Sequence, residues 1–313
     1  MKIYNSIDDF QKVSFPVLTT GTFDGVHLGH RKIIYRIRDI ARRNHGESVL
    51  LTFSPHPRLV IFPDQNDLKL LNTIDEKIKL IEDAGIDNLI IHPFTKEFSR
   101  ISSLEFVRDL LVKSLGVRKL VIGYNHQFGK NREGTLSHLL EYGPLYGFDV
   151  EEIPAKDIDD VNISSTKIRN AITKGAINLA KTYLGYDYFF TGKVVKGDGI
   201  GKSLDFPTAN IKINDALKLV PGNGVYVVKA VIASTIFNGM MNIGIRPTIE
   251  SREDTKKRKI EIHLFDFNET IYEKTLEVHV ISRIRDEIKF DSISALKEQL
   301  TKDRIESIKI LKI

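Results

Sequence analysis

The chain has 313 residues, 42% of them hydrophobic and 28% charged, and 46 basic against 41 acidic side chains give a formal net charge of +5. That length exceeds what one core usually fills, so two domains are expected. The chain has no cysteine, which excludes disulfides and thiolate catalysis. No apolar run approaches membrane-spanning length, and residues 1–10 lack a signal-peptide core, so a cytoplasmic protein without a membrane partner is expected. Basic residues are spread along the chain, with one short run at 256–259. The net charge therefore reads as a solvated surface, and nucleic acid is not expected as a partner.

Residues 15–20 read as a short buried strand, after which Ile33, Ile34, Ile37, Ile40 and Ala41 recur at helical spacing. Between them lies the most informative turn, Gly21-Thr-Phe-Asp-Gly-Val-His-Leu-Gly-His30. It puts His27 and His30 at a helix start, where free backbone N–H groups and the positive dipole end favour an anion. Gly25 and Gly29 leave room for a phosphate to approach the backbone, and the imidazoles can donate to oxygens that gain charge during transfer. A His-x-x-His pair alone is a weak signal, but its strand–turn–helix setting favours phosphate chemistry.

Residues 48–53, 88–92 and 119–123 are short apolar runs of the buried parallel type. Helical patterns over 73–84, 102–115 and 135–146 separate them, with Ser102 and Glu105 in capping-box spacing. This alternation implies a parallel sheet covered on both faces, with ligands at the carboxyl ends of the strands. The distinctive turns 21–30, 54–57 and 123–129 all fall at such ends. In Ser54-Pro-His-Pro57 two prolines fix the loop, and His56 either stands over a ligand or merely caps the strand. Zinc held by His27, His30 and His56 fits by ligand type but finds no further ligand at metal spacing, so phosphate binding ranks above it. Ser164, Ser165 and Thr166 open another helix, and Lys167 and Arg169 add charge suited to phosphate. Taken alone, that segment reads more simply as an N-cap followed by exposed basic residues.

Near Asp187 the pattern changes. Strand-like runs at 189–195, 224–232, 236–243, 259–265 and 275–281 suggest a small β-barrel, closed by helical stretches at 292–302 and 305–311. The domain boundary is expected at 186/187, just after the helix containing 179–184. The run 197–203 resembles a P-loop but is one residue short and precedes no helix, so the Walker reading fails. Gly197, Gly199 and Gly201 can still form an anion nest. Thr208 and Asn210 lie two apart, hence on one strand face, and together can help hold Mg²⁺ on a nucleotide. Glu261 alternates with Ile260 and Ile262, and the pattern alone leaves open whether its face meets solvent or a ligand.

Together these segments resemble the prokaryotic bifunctional riboflavin kinase/FAD synthetase family over essentially the whole chain. The N-terminal signature comprises the 21–30 turn with 53–57, 121–129 and 163–169. The C-terminal one comprises 206–211, 224–226, 242–248, 261–267 and 285–290. The resemblance implies an α/β, Rossmann-like HxGH nucleotidyltransferase domain over 1–186, followed over 187–313 by a six-stranded riboflavin kinase β-barrel with C-terminal helices. The barrel would phosphorylate the 5′-hydroxyl of riboflavin using ATP and Mg²⁺. In it, Thr208 and Asn210 would hold the metal and the nucleotide phosphates, with Glu261 as general base. The first domain would then join the FMN phosphate to the α-phosphate of ATP, giving FAD and pyrophosphate.

In this scheme His27 and His30 stabilise the transferring phosphoryl group. Gly21, Phe23, Asp24, Gly25, Gly29, Ser164, Ser165, Thr166 and Arg169 bind nucleotide and phosphate, as Gly197, Gly199 and Gly201 do in the barrel. Pro57, Asn125, Phe128 and Arg285 face flavin. Two positions depart from the family pattern, which often has Asp at Asn125 and Gly at Asp205. The first loses a negative charge near flavin or phosphate, and the second can stiffen or mispose the turn before Pro207. A transferase for another phosphorylated small molecule is the nearest rival, and the C-terminal signature argues against it. A flavin-sensing or nucleic-acid-binding regulator is the other, opposed by the intact His27, His30, Thr208, Asn210 and Glu261.

Overall fold

The apolar runs of the first half lie side by side as parallel strands. They are β1 (Lys2–Tyr4), β2 (Pro16–Thr20), β3 (Glu47–Ser54), β4 (Asn88–Pro93), β5 (Lys119–Gly123) and β6 (Asp149–Ile153), in the spatial order β1-β4-β3-β2-β5-β6. Val17, Leu18, Val49, Leu50, Leu51, Leu89 and Ile90 are fully buried, because helices cover both faces of such a sheet. The helix Leu28–Arg43 turns Ile33, Ile34, Ile37 and Ile40 inward and packs on β2, β3 and β5. Each of those isoleucines contributes about 1.5–3 kcal/mol relative to exposure. The expected helix over 102–115 has the Ser102–Glu105 capping box, but beyond it the backbone widens into a π-helix over Phe106–Ser114. Phe106, Val107, Leu110 and Leu111 still reach the core.

The computed structural model describes residues 1–64, 67–154, 163–197, 201, 204–245 and 258–313. The chain divides into two compact units, Met1–Ser165 and Thr166–Ile313. In the second, β7 (Phe189–Val195), β8 (Ala209–Lys212), β9 (Gly224–Ile232), β10 (Thr235–Ile245), β11 (Arg258–Leu264) and β12 (Thr275–Arg285) close a barrel in the order β10-β11-β8-β7-β12-β9. All its pairings are antiparallel. One continuous helix, Ile293–Leu311, replaces the two expected C-terminal stretches. Neither glycine nor proline interrupts it, and Asp303 at the expected break is held by a partner inside the fold. Its residues Leu296, Leu300, Ile308 and Leu311 pack on Leu204, Phe206, Met240 and Phe265.

Candidate functional sites

In the first unit the sheet order reverses at β2. From there the chain proceeds to β3 and β4 on one side and to β5 and β6 on the other. The crevice outside the carboxyl ends of β2 and β5 is the topological switch point, where open α/β sheets bind ligands. The 21–30 turn leaves β2, the 123–129 turn leaves β5 beside it, and the 54–57 turn leaves β3 on the other flank.

The 21–30 turn is strained. Phe23 and Val26 have φ of 47° and 36°, and Gly25 has φ of 89°. Valine rarely adopts that region, so neighbours must impose the shape. Asp24 is buried, and its Oδ1 accepts the backbone N–H groups of Leu71 at 2.9 Å and Asn72 at 3.4 Å. The Ser165 hydroxyl donates to the Asp24 carbonyl at 2.9 Å, bringing the 163–165 segment against the turn.

His27 caps the helix Leu28–Arg43, its Nδ1 accepting the His30 backbone N–H at 3.3 Å. That bond puts the His27 proton on Nε2, which is left to donate to a ligand. The two imidazoles stack with centroids 3.6 Å apart, and Phe23 lies 5.0 Å from His30. Burial pushes His27 down to about 4 despite the pull of Asp24. Burial also holds His30 well below the usual histidine range, helped by the charges of His27 and Lys77. Both rings are therefore neutral at pH 7, and each can donate one N–H.

The other expected residues of this unit differ in character. Gly21 opens the turn after β2, and Gly29 lies between the two histidines, within the first helical turn. Pro57 begins the short helix Pro57–Ile61, which His56 caps by accepting the Arg58 N–H at 3.2 Å. Asn125 is exposed on the turn after β5, whereas Phe128 is a core residue packed on Phe106. Thr166 and Arg169 lie on the helix Ser165–Thr173 and belong to the second compact unit.

The second unit holds a cavity of about 320 Å³ between barrel strands and the C-terminal helix. Ile260 and Ile262 point into the barrel, so Glu261 points the other way, into this cavity. Its cross-strand neighbours are Asn210 on β8 and Asn242 on β10, so three polar side chains form one row. Thr208 immediately precedes β8, and His263 Nδ1 donates to the Pro207 carbonyl at 2.9 Å, steadying that approach. A Cβ at Gly197 would come within 2.0 Å of the Asn210 amide and force it aside. Gly201 lines the cavity; Gly199 lies outside the described residues. Arg285 reaches the wall, where Asp303 accepts from its Nε at 2.9 Å and its Nη2 at 2.6 Å. Asp205 has φ of 65°, a conformation Asp tolerates better than most residues, and pairs with Lys297 at 2.5 Å.

Sequence reasoning left Asn242, His263, Asp303 and Lys77 without a role. Asn242 was within reach through the β10–β11 register, and Asp303 and Lys77 through their places on apolar helical stripes.

A family model described as FAD synthetase matches residues 11–167, and one described as riboflavin kinase matches 184–311. Among curated relatives, the bifunctional riboflavin kinase/FMN adenylyltransferase of Buchnera aphidicola subsp. Schizaphis graminum is 38% identical over 99% of this chain and 98% of its own. Those of Bacillus subtilis (36%, covering 94% and 92%) and Escherichia coli K12 (33%, covering 92% and 90%) are similar. A solved structure described as a macrolide-efflux protein from Streptococcus pneumoniae superposes with a TM-score of 0.88 at 30% identity, covering 97% of each chain. In this chain, no helix among the described residues is long and apolar enough to cross a membrane. With both family models matched in order and relatives similar over nearly their full length, the chain belongs to the bifunctional riboflavin kinase/FMN adenylyltransferase family, whose two activities, on flavin and ATP, it carries.

Proposed function

We propose that the two activities are divided between the sites described, with Glu261 serving riboflavin phosphorylation and the His27–His30 pair serving FMN adenylylation, and that the functional boundary lies at 186/187. In the kinase reaction the Glu261 carboxylate accepts the proton of the riboflavin 5′-hydroxyl as its oxygen attacks the γ-phosphorus of ATP and ADP departs. Asn210 and Asn242 flank the carboxylate and limit its movement. Arg285 stands on the flavin side of the cavity, braced by Asp303.

Thr208 and Asn210 supply two neutral oxygens, a donor set suited to Mg²⁺ that arrives on nucleotide phosphates. The chemistry Mg²⁺ supplies when bound is charge neutralisation on those phosphates. Gly197 and Gly201 cover the same nucleotide.

In the second reaction a phosphate oxygen of FMN attacks the α-phosphorus of ATP and pyrophosphate departs. His27 and His30 donate to the α-phosphoryl oxygens as charge gathers there, and no covalent enzyme intermediate is needed. The backbone of 21–29 cradles the nucleotide. Ser164 and Ser165, the latter bonded to the Asp24 carbonyl, take the departing pyrophosphate. Pro57 and Asn125 face the flavin, and Phe128 supports that wall from the core. With ATP consumed in both steps, the setting is cytoplasmic.

The observation that carries this reading is the row Asn210–Glu261–Asn242 on a cavity in one unit, with the stacked histidines at the switch point of the other. Glu261→Ala tests it, with riboflavin and FMN supplied in separate assays. FMN formation should fall at least about a hundredfold while supplied FMN still becomes FAD. His30→Ala should give the converse pattern. Loss of both activities in either folded variant contradicts the division.

A further inference from the structure

We propose that Lys77 is a positioning residue of the adenylyl-transfer site, its buried ammonium clamping the Thr22 carbonyl and so fixing the turn that presents His27 and His30. The inference rests on the reading that those histidines carry the transfer.

Lysine is among the residues least often buried, yet Lys77 is only 7% exposed. The helix Ile74–Asp83 already has an apolar face in Leu80 and Ile81, so packing alone gives no reason for an ammonium there. Its Nζ donates to the Thr22 carbonyl at 2.8 Å. The same oxygen accepts the Thr52 hydroxyl of β3 at 3.2 Å, so two elements hold one carbonyl at the start of the turn. The strain then follows at once, at Phe23, Gly25 and Val26. Such conformations persist only where the surroundings over-determine them. Segment 71–77 supplies two of those constraints, through the Leu71 and Asn72 N–H groups on Asp24 and through Lys77 on Thr22.

Lys77 also acts by charge. The titratable groups facing His30 are His27, from its own turn, and Lys77, from the helix opposite, while Asp24 faces both His27 and Lys77. A positive neighbour favours the neutral imidazole, which leaves the stacked pair uncharged. Removing Lys77 therefore loosens the turn and lets His30 take a proton at higher pH.

The test uses the full chain, with FMN and ATP as substrates and circular dichroism as a check on folding. Lys77→Met should lower kcat about a hundredfold, the cost of a displacement of about 1 Å at a transfer site. KM values for ATP and FMN should change only about twofold, and the acid limb of the kcat profile should move upward. Lys77→Arg keeps the charge and should restore part of kcat and the original acid limb. Thr52→Val removes only a hydrogen bond, and should lower kcat less without moving that limb. An unchanged kcat in folded Lys77→Met overturns the proposal, as does a loss confined to the KM for ATP, which would make Lys77 a nucleotide ligand. If His30→Ala retains FAD formation, the reading beneath the proposal fails. If His30→Ala is inactive while Lys77→Met is unaffected, the proposal alone fails.

Discussion

Asp303 offers a quantitative test of how the C-terminal helix serves the barrel. Its carboxylate is 1% exposed and lies 2.6 Å from Arg285 Nη2, with the Arg285 side chain 17% exposed. It also accepts from Arg285 Nε and, at 2.9 Å, from Gln299 Nε2. Breaking a buried pair by removing one partner typically costs about 3–5 kcal/mol, because the remaining charge is left uncompensated. Arg285 keeps some contact with water and a further bond to the Asp286 carbonyl at 2.9 Å, so the lower end applies. Asp303→Ala should therefore destabilise the second unit by about 3 kcal/mol. The unit can be followed specifically through the urea dependence of riboflavin kinase activity. The freed guanidinium should also leave the cavity wall, so KM for riboflavin should rise more than kcat falls. The double variant with Arg285→Met should recover much of the lost stability, since no charge is then stranded. A shift below about 0.5 kcal/mol for Asp303→Ala, with an unchanged KM, would refute this reasoning.

Three further outcomes follow from the same geometry. His27 titrates near 6.5 when unfolded and at about 4 when folded, so the unfolded state binds more protons between those values. The histidine's contribution, about 3 kcal/mol at 1.36 kcal/mol per unit, is complete above pH 6.5 and is lost as pH falls toward 4. An NMR titration midpoint near 6.5 for His27 would contradict it. Gly197→Ala should lower riboflavin kinase kcat and leave FMN adenylylation intact, because the new Cβ displaces the Asn210 amide; equal losses in both assays would count against this. Asp205→Gly should change stability by less than about 1 kcal/mol, since the ion pair it removes joins side chains 79% and 50% exposed. Thermal unfolding checks that, and a larger loss would make this surface pair a structural latch.

The fold was legible wherever burial imposed a period. Strands β2 to β5 each carry an unbroken apolar run because both faces of the sheet are covered, and the barrel strands alternate because one face is. The edge strands β1 and β6 escaped notice for physical reasons. β1 has three residues, and β6 reads Asp-Val-Glu-Glu-Ile, with Glu151 engaged by Arg36 and Lys119. A charged edge strand guards against stray pairing and so erases its own signal.

The site was legible in its motifs and illegible in its supports. The turns after β2, β3 and β5 were readable, and so was the ambiguity at His56, which is a helix cap. Which face Glu261 occupies required the barrel. Lys77 stands three and four residues before the buried Leu80 and Ile81, and Asp303 falls on the stripe of Leu296 and Leu300. A charge on an apolar stripe was the available signal in both cases, since such a group must find a partner inside.

The most direct measurement of the central claim is complementation between two single-site variants. Glu261→Ala and His30→Ala proteins would be given riboflavin, ATP and Mg²⁺, separately and mixed, with riboflavin, FMN and FAD quantified by liquid chromatography over time. The account predicts no flavin product from the first, FMN alone from the second, and FAD from the mixture after FMN appears. A mixture of folded variants that stops at FMN, or that makes no FMN at all, would contradict the assignment of the two reactions to two separate sites.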